Sequence, residues 1–432
     1  MKKQGKGFKQ VKLKGLWLHK DFRNLWFGQT IAMFGNQITL LAFPLLAALY
    51  LEATPLQMGI LYAVEFLPIL LIGLHAGVWV DNKPKKPMLI TVDIIRAVLI
   101  LSIPVALYFN LLRIELLYVV AFLIGVNTVF SDIGQLSYLP FIIKKEELIE
   151  GNSKMEFSSS SASIVGQSLG GALIQAFTAP IAIIITACTF LTSSLFLSRI
   201  KKKEPPIQKE DKEEEKIMAQ ILEGIKFVAK SDIIRKLTIS AMIFNFFTVL
   251  MEPIFILYVS RELGIPPIFI GIIFAMSGVG ALLGAFIAGP MTKKLGVGPS
   301  IVTSLIIAGT ATLMIPMATL LPMYYSIALL IFVQIVDSSM VIVHNINQRS
   351  LRTSITPDNL MGRMNASIRF CIMGTVPLGA VIGGALGGWI GTLQTLIIGA
   401  LGVLVAAVYL SFSSIRSIQD LPQNTAQEEA SL

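Results

Sequence analysis

Twelve apolar stretches, each close to the length that crosses a bilayer, are the tightest constraint on this chain. A hydrocarbon core of about 30 Å takes roughly 20 residues of helix, and backbone groups inside it must be paired within protein. The stretches occupy residues 22–50, 56–80, 88–109, 114–138, 153–179 and 181–198, then 233–259, 268–291, 300–320, 323–345, 363–387 and 393–412. Only 14% of the 432 residues are charged and mean hydropathy is +0.74, against about 25% charged in a soluble domain. An ordinary soluble enzyme, a disulfide-built secreted domain and a disordered chain are all excluded. Cys188 and Cys371 both fall inside apolar stretches, and His19, His75 and His344 are scattered. Neither set has the spacing of a metal site, so no metal and no cofactor is expected.

The net charge of +9 belongs to topology rather than to nucleic acid, because basic residues mark the loops that stay in the cytoplasm. Seven lysines precede the first stretch, which is too long for a signal-peptide core and reads as an uncleaved helix. Alternate loops then carry Lys83, Lys85 and Lys86; Lys144 and Lys145; Arg199 to Lys203; Lys293 and Lys294; and Arg349, Arg352 and Arg363. The intervening loops carry only Arg113 and Arg261. The expected layout is a basic tail at 1–20, a six-helix bundle at 21–199, a linker at 200–232, a second bundle at 233–412 and a tail at 413–432, both tails cytoplasmic. Within the linker, Ile217, Ile221, Leu222, Ile225 and Val228 recur at helical spacing, which predicts a short amphipathic helix on the inner membrane surface.

The two halves repeat. Gln135, Ser137, Asn152, Gly166, Gly170, Gly171 and Leu173 recur 213 residues later as Gln348, Ser350, Asn365, Gly379, Gly383, Gly384 and Leu386. An even number of helices per half relates the halves by an axis along the membrane normal, the plan of transporters that rock two bundles about a central site. The predicted fold is all-α: twelve transmembrane helices in two six-helix bundles related by a parallel pseudo-two-fold repeat. Gly166, Gly170, Gly171, Gly379, Gly383 and Gly384 form small-xxx-small patterns for close helix packing.

Gly77-Val-Trp-Val-Asp81-Asn-Lys-Pro-Lys85-Lys86, between the second and third stretches, resembles the loop signature of the major facilitator superfamily. Leu136-Ser-Tyr-Leu-Pro140, Glu147-Leu148, Gly151-Asn152 through Gly170-Gly171, and Gly362-Arg363 are similar to its macrolide-efflux and siderophore-exporter branch. The resemblance implies a conformational latch. Gly77 permits close approach, Asp81 takes hydrogen bonds at the N-terminus of the eleventh helix, Arg363 is a second partner there, and Lys85 and Lys86 complete the loop. Asn82 and Pro84 replace the signature's usual Arg and Gly, and the second copy at Gly289–Lys294 lacks the acid.

Charged and polar groups inside spans are the functional candidates, because a carboxylate at mid-bilayer costs at least about 2.5–3.5 kcal/mol. Glu65 lies about 13 Å and Glu252 about 10 Å below the outer surface at 1.5 Å per residue, with Asp337 past the middle. A carboxyl removed from water can exchange a proton or bind a cation. Gln334, Asp337, His344 and Gln348 share one face of the tenth span, Thr128, Ser131, Gln135 and Tyr138 one face of the fourth, and both stripes are expected to line a central cavity. Asn36, Gln37 and Asn245 are further ligand candidates; Phe34, Tyr62, Phe66, Met251 and Phe255 are candidates for its apolar wall. Asp93 and Arg96, three apart on the third span, read as a structural ion pair. The arginine that the resemblance leads one to expect in the body of the fourth span is missing.

These readings converge on a bacterial cytoplasmic-membrane secondary transporter, acting as a monomer on a small molecule and protons. It is expected to export an amphipathic, macrolide-like compound by alternating access and proton antiport. The alternatives are a facilitator for a siderophore, sugar or lysophospholipid, and a non-transporting membrane protein. No G-x-x-x-x-G-K-[ST] loop occurs, and no cluster of nucleophile, base or metal ligands points to an enzyme.

Overall fold

A computed structural model describes residues 15–204, 223–357 and 360–421, except the side chains of residues 74, 78 and 81. Among the described residues, eleven helices are each long and apolar enough to cross a membrane. They are α1 (Lys20–Leu49), α2 (Pro55–Asp81), α3 (Lys85–Tyr108), α4 (Ile114–Ile142), α6 (Ala179–Ser198), α7 (Asp232–Leu257), α8 (Pro267–Leu295), α9 (Val297–Thr312), α10 (Met323–Ser354), α11 (Met361–Trp389) and α12 (Thr392–Ser411). The twelfth, α5, passes through Leu148–Ser161, a π-helical turn at Ala162–Gly166 and Gln167–Ala176. That turn divides the span into two shorter pieces, and such turns are frequent at functional sites.

The packing repeats as the sequence does. In the first half α1 packs on α5 and α6, α3 on α4 and α6, and α2 on α4. In the second half α7 packs on α11 and α12, α9 on α10 and α12, and α8 on α10. Each pair has its counterpart six helices later, which makes the two bundles parallel copies. They meet mainly through α2 with α11 and α5 with α8, again counterparts of each other.

Both crossings are backbone against backbone. A Cβ on Gly384 would lie 2.7 Å from the Pro55 carbonyl oxygen and 3.0 Å from the Gly59 Cα, and one on Gly171 would lie 3.0 Å from the Gly271 Cα. Gly166 and Gly170 face α1 in the same way (Gln37 Cβ at 2.8 Å, Ile38 Cα at 3.3 Å), while Gly379 and Gly383 face the Phe246 and Leu250 carbonyls of α7. Pro55 and Pro267 begin α2 and α8, so the tight crossings lie at the end away from the basic loops. At the basic end a Cβ on Gly77, Gly289 or Gly362 would meet nothing within 4 Å. The bundles are closed at one end and parted at the other.

Helix ends at the basic side are tied by side chains. The Glu204 carboxylate accepts from the Lys85 and Lys86 amides, both at 2.6 Å, and caps the start of α3. The Lys86 ammonium donates to the Ser198 and Ile200 carbonyls at 3.0 and 2.6 Å, closing the end of α6, and Lys85 Nζ donates to the Lys83 carbonyl at 2.9 Å. These bonds supply partners for terminal backbone groups. Lys85 and Lys86 therefore tie helix ends of the first bundle. Arg363 pairs with Glu223 at 2.5 Å. Asp81 ends α2, but its side chain lies outside the described residues, as does Asn359. The short helix over 223–230 packs Val228 against Met364 and Ile368 of α11. Glu223, Lys226, Ala229 and Lys230 on this helix are exposed; residues 217–222 of the expected amphipathic helix lie outside the described residues.

The equivalent junctions α5–α6 and α11–α12 each turn through one residue with positive φ, Gly391 at 99° in the second and Thr178 at 141° in the first. Side chains resist that region at roughly 1–3 kcal/mol, while glycine loses about 0.5–1 kcal/mol in chain entropy. Thr178→Gly is therefore expected to stabilise the fold by about 1 kcal/mol, read as a higher melting temperature of the purified protein.

Candidate functional site: a central cavity and its vestibule

Prolines inside α1, α2 and α7 shape the first cavity. Pro44, Pro68 and Pro253 cannot donate to the carbonyls four residues back, which bends or loosens each helix there. Gly125 of α4 lies so close to the Glu65 carbonyl that no side chain fits between them. Around these points lies a cavity of about 610 Å³, lined from α2 by Tyr62, Glu65 and Phe66, from α7 by Glu252, and from α10 by Gln334 and Asp337. Tyr62 donates from its hydroxyl to Glu252 at 3.3 Å, a bond from one bundle to the other, and stacks on Phe66 at 4.9 Å. Glu65 is near enough to act electrostatically on both Tyr62 and Glu252. Asp337 accepts from the Thr312 hydroxyl at 3.4 Å. Ser163 and Gln167, in and just after the π-helical turn of α5, complete one wall, and Phe244, Phe274 and Ile256 give it apolar faces.

No Lys, Arg or His is among the residues lining this cavity. A carboxyl so placed is stable either protonated or paired with a cation. Three of them, drawn from both bundles, line this one cavity. Among the described residues no three His, Cys, Asp or Glu side chains come close enough together to hold a metal ion.

A larger vestibule of about 1340 Å³ lies toward the basic end, lined one turn further along the same helices by Ile69 and Leu70 of α2 and by Ser160 of α5. Gln135 faces it and donates to Ser131 at 2.9 Å. So do Asp132, Glu156 and Arg369, none of which we anticipated from the sequence. A charged residue inside a span is itself a functional signal, and Asp132 stood unremarked beside Ser131 in the polar stripe of α4.

Four expected ligand residues lie elsewhere. Asn36 accepts from Arg96, and the Gln37 side-chain oxygen accepts from Gln167 at 3.0 Å, an α1–α5 seam. Asn245 donates to the Ile372 carbonyl and the Thr375 hydroxyl at 3.1 and 2.9 Å, an α7–α11 seam. His344 is buried within the second bundle, 3.3 Å from the Ile301 carbonyl and stacked on Phe244, and Gln348 beyond it donates to the Leu237 carbonyl. Of the tenth-span stripe only Gln334 and Asp337 reach the cavity. Tyr62 and Phe66 line it as expected, whereas Met251 and Phe255 are buried in the core.

Asp93 and Arg96 are both buried, at 5% and 3% exposure, yet no salt bridge within 4.0 Å joins them among the described residues. Arg96 instead donates to Asn36 at 3.2 Å and to Thr128 at 3.0 Å, with its guanidinium over the Phe190 ring. Asp93 and Arg96 still act on each other electrostatically, without the direct contact of the expected ion pair. A guanidinium turned toward α4 lies within electrostatic reach of Asp132, and so α3 supplies a positive charge behind a cavity-lining acid.

At the closed end, Arg261 donates from Nε to the Ala48 carbonyl at 3.0 Å, from Nη1 to Ala53 at 2.8 Å, and from Nη2 again to Ala48. The acceptors are terminal carbonyls of α1 and the loop after it, where a cation is favoured. The clasp joins the second bundle to the first. Arg261→Ala is expected to raise, by roughly tenfold (~1.4 kcal/mol), the rate at which an impermeant maleimide added at that face labels Leu61→Cys, a cavity-lining position only 3% exposed.

The profile of the Major Facilitator Superfamily matches residues 25–371 and 237–431. The chain is 27% identical over 408 residues to an uncharacterized MFS-type transporter, YfiS, of Bacillus subtilis (strain 168), covering 90% of this chain and 93% of that protein. It is 25% identical over 384 residues to the multidrug efflux pump Tap of Mycolicibacterium fortuitum, covering 88% and 92%. Among solved structures, a bacterial homologue of the iron transporter ferroportin in an inward-facing state superposes with a TM-score of 0.74 at 16% identity, covering 92% of this chain and 99% of that one.

Proposed function

The chain belongs to the Major Facilitator Superfamily, and from that premise we propose that it exports an amphipathic, macrolide-like small molecule from a bacterial cell in exchange for protons. The observation that carries this reading is the meeting of Glu65, Glu252 and Asp337, from both bundles, in one cavity without a basic side chain. The likeness to a multidrug efflux pump favours export over uptake. With the basic loops in the cytoplasm, both termini lie inside and the described state is open inward.

In this reading residues 21–199 and 233–412 rock as two units about the α2–α11 and α5–α8 crossings. A cationic amphiphile enters through the vestibule and displaces protons from the central carboxyls. The bundles then part at the Arg261 end, the ligand leaves, and protons from outside refill the site. Protons and ligand share the same carboxyls, so one cannot cross without the other crossing the opposite way.

Everted vesicles with an acidic interior and a pH-quenched dye test this directly. Addition of macrolides or cationic dyes should relieve the quenching in vesicles bearing the wild-type chain, and Glu65→Gln should abolish the response. A flat response to every compound from inserted, folded protein would refute proton antiport.

A further inference from the structure

We propose that Arg369 makes the vestibule a recognition site for zwitterionic amphiphiles, which it holds by their carboxylate while their ammonium points to the acids of the central cavity. The inference deepens the exporter reading and rests on it by naming the class of molecule that the vestibule admits.

Among the described residues, Arg369 is the one basic side chain that lines either cavity. It stands on α11, 213 residues after Glu156 of α5, so the repeat places a guanidinium in one bundle where the other carries a carboxylate. No carboxylate oxygen of the described residues lies within 4.0 Å of it. Its electrostatic partner is Asp132, across the vestibule on α4.

Asp132 also feels Arg96 from behind. Arg96 is fixed in the first bundle by Asn36 and Thr128, and its Nε has no hydrogen-bond partner. Asp132 therefore keeps one positive neighbour whatever Arg369 does, which leaves Arg369 free to take a ligand's carboxylate. A guanidinium presents a planar fork that matches a carboxylate and discriminates strongly against molecules lacking one.

The order of charges along the path sets the orientation. Deep in the molecule the lining charges are Glu65, Glu252 and Asp337; nearer the basic end they are Asp132, Glu156 and Arg369. A zwitterion entering ammonium-first leaves its carboxylate at the level of Arg369. The apolar vestibule wall, with Ile133, Phe370 and Met373, accepts the ligand's hydrocarbon or aromatic body, and its volume exceeds the roughly 300–1,000 Å³ of ordinary ligand pockets.

Nε-dansyl-lysine and dansylcadaverine are a matched pair of probes, because they differ only by the α-carboxylate. Their fluorescence with the full chain in nanodiscs, without a pH gradient, reads binding alone. The wild-type chain should bind the zwitterion at least tenfold more tightly than the amine. Arg369→Gln should remove that preference by weakening binding of the zwitterion, and Arg369→Lys should restore part of it. No preference in the wild type, or an equal loss of both probes in Arg369→Gln, overturns the proposal. Failure of the proton-exchange reading shows separately, as substrate flux indifferent to Glu65→Gln with the Arg369 preference intact.

Discussion

Glu252→Gln is expected to reduce proton-linked flux by about a hundredfold or more, the scale of losing a positioned proton-transfer group, without loss of folded protein. Glutamine keeps the shape of the side chain and an acceptor for the Tyr62 hydroxyl at 3.3 Å, so the contact between the bundles survives. What it removes is the ability to take up and release a proton. It also removes a group whose charge is costly away from water, so folding yield should be equal or higher. Asp337→Asn should weaken flux less, because Asp337 bonds within its own bundle to Thr312 and reports less directly on the partner bundle. The comparison is made by initial rates of substrate-dependent proton movement at matched protein levels; equal rates for wild type and Glu252→Gln would remove Glu252 from the coupling.

The second large effect is steric. Gly384→Val places side-chain carbon where the Pro55 carbonyl and the Gly59 and Leu56 Cα atoms already lie, each within about 3 Å of a built Cβ. These are backbone atoms of the opposite bundle and cannot move aside singly, so the cost should match or exceed the ~1–3 kcal/mol of ordinary overpacking. The expected result is a chain that cannot close its Arg261 end, with transport lost and a lower melting temperature. Gly388, one turn along the same helix, has nothing within 4 Å of a built Cβ, and Gly388→Val should leave both readouts near wild type. Equal behaviour of the two variants would mean that the α2–α11 crossing does not close the molecule.

Much of the architecture was legible because membrane physics writes it along the chain. Apolar length placed the spans, and the 213-residue recurrence of glycines named positions that now face the same neighbours in both halves, Gly171 against Gly271 and Gly384 against Gly59. The central carboxyls were legible for a similar reason: a charge inside an apolar span stands out wherever its side chain points. Other features depend on what lies opposite a residue, which periodicity along one helix does not record. His344 shares a face of α10 with Asp337, yet at its level that face meets Ile301 of α9 rather than the cavity. Arg96 has Asp93 one turn away but finds Asn36 and Thr128 on two other helices. Arg261 reads as a loop charge because its partners are backbone carbonyls, which no residue identity marks. Arg369, eight residues past the start of α11, reads as part of the basic flank until the vestibule beside it is seen.

The central claim is that substrate and protons exchange through the same three carboxyls. The most direct measurement is uptake of a labelled macrolide into everted-orientation proteoliposomes containing only this chain, acidic inside, with a Glu65→Gln/Glu252→Gln double variant alongside. The account predicts accumulation above the external concentration, collapse of that accumulation when a protonophore dissipates the gradient, and none in the variant. Accumulation that persists without a pH gradient, or that the double variant supports as well as the wild type, would contradict it.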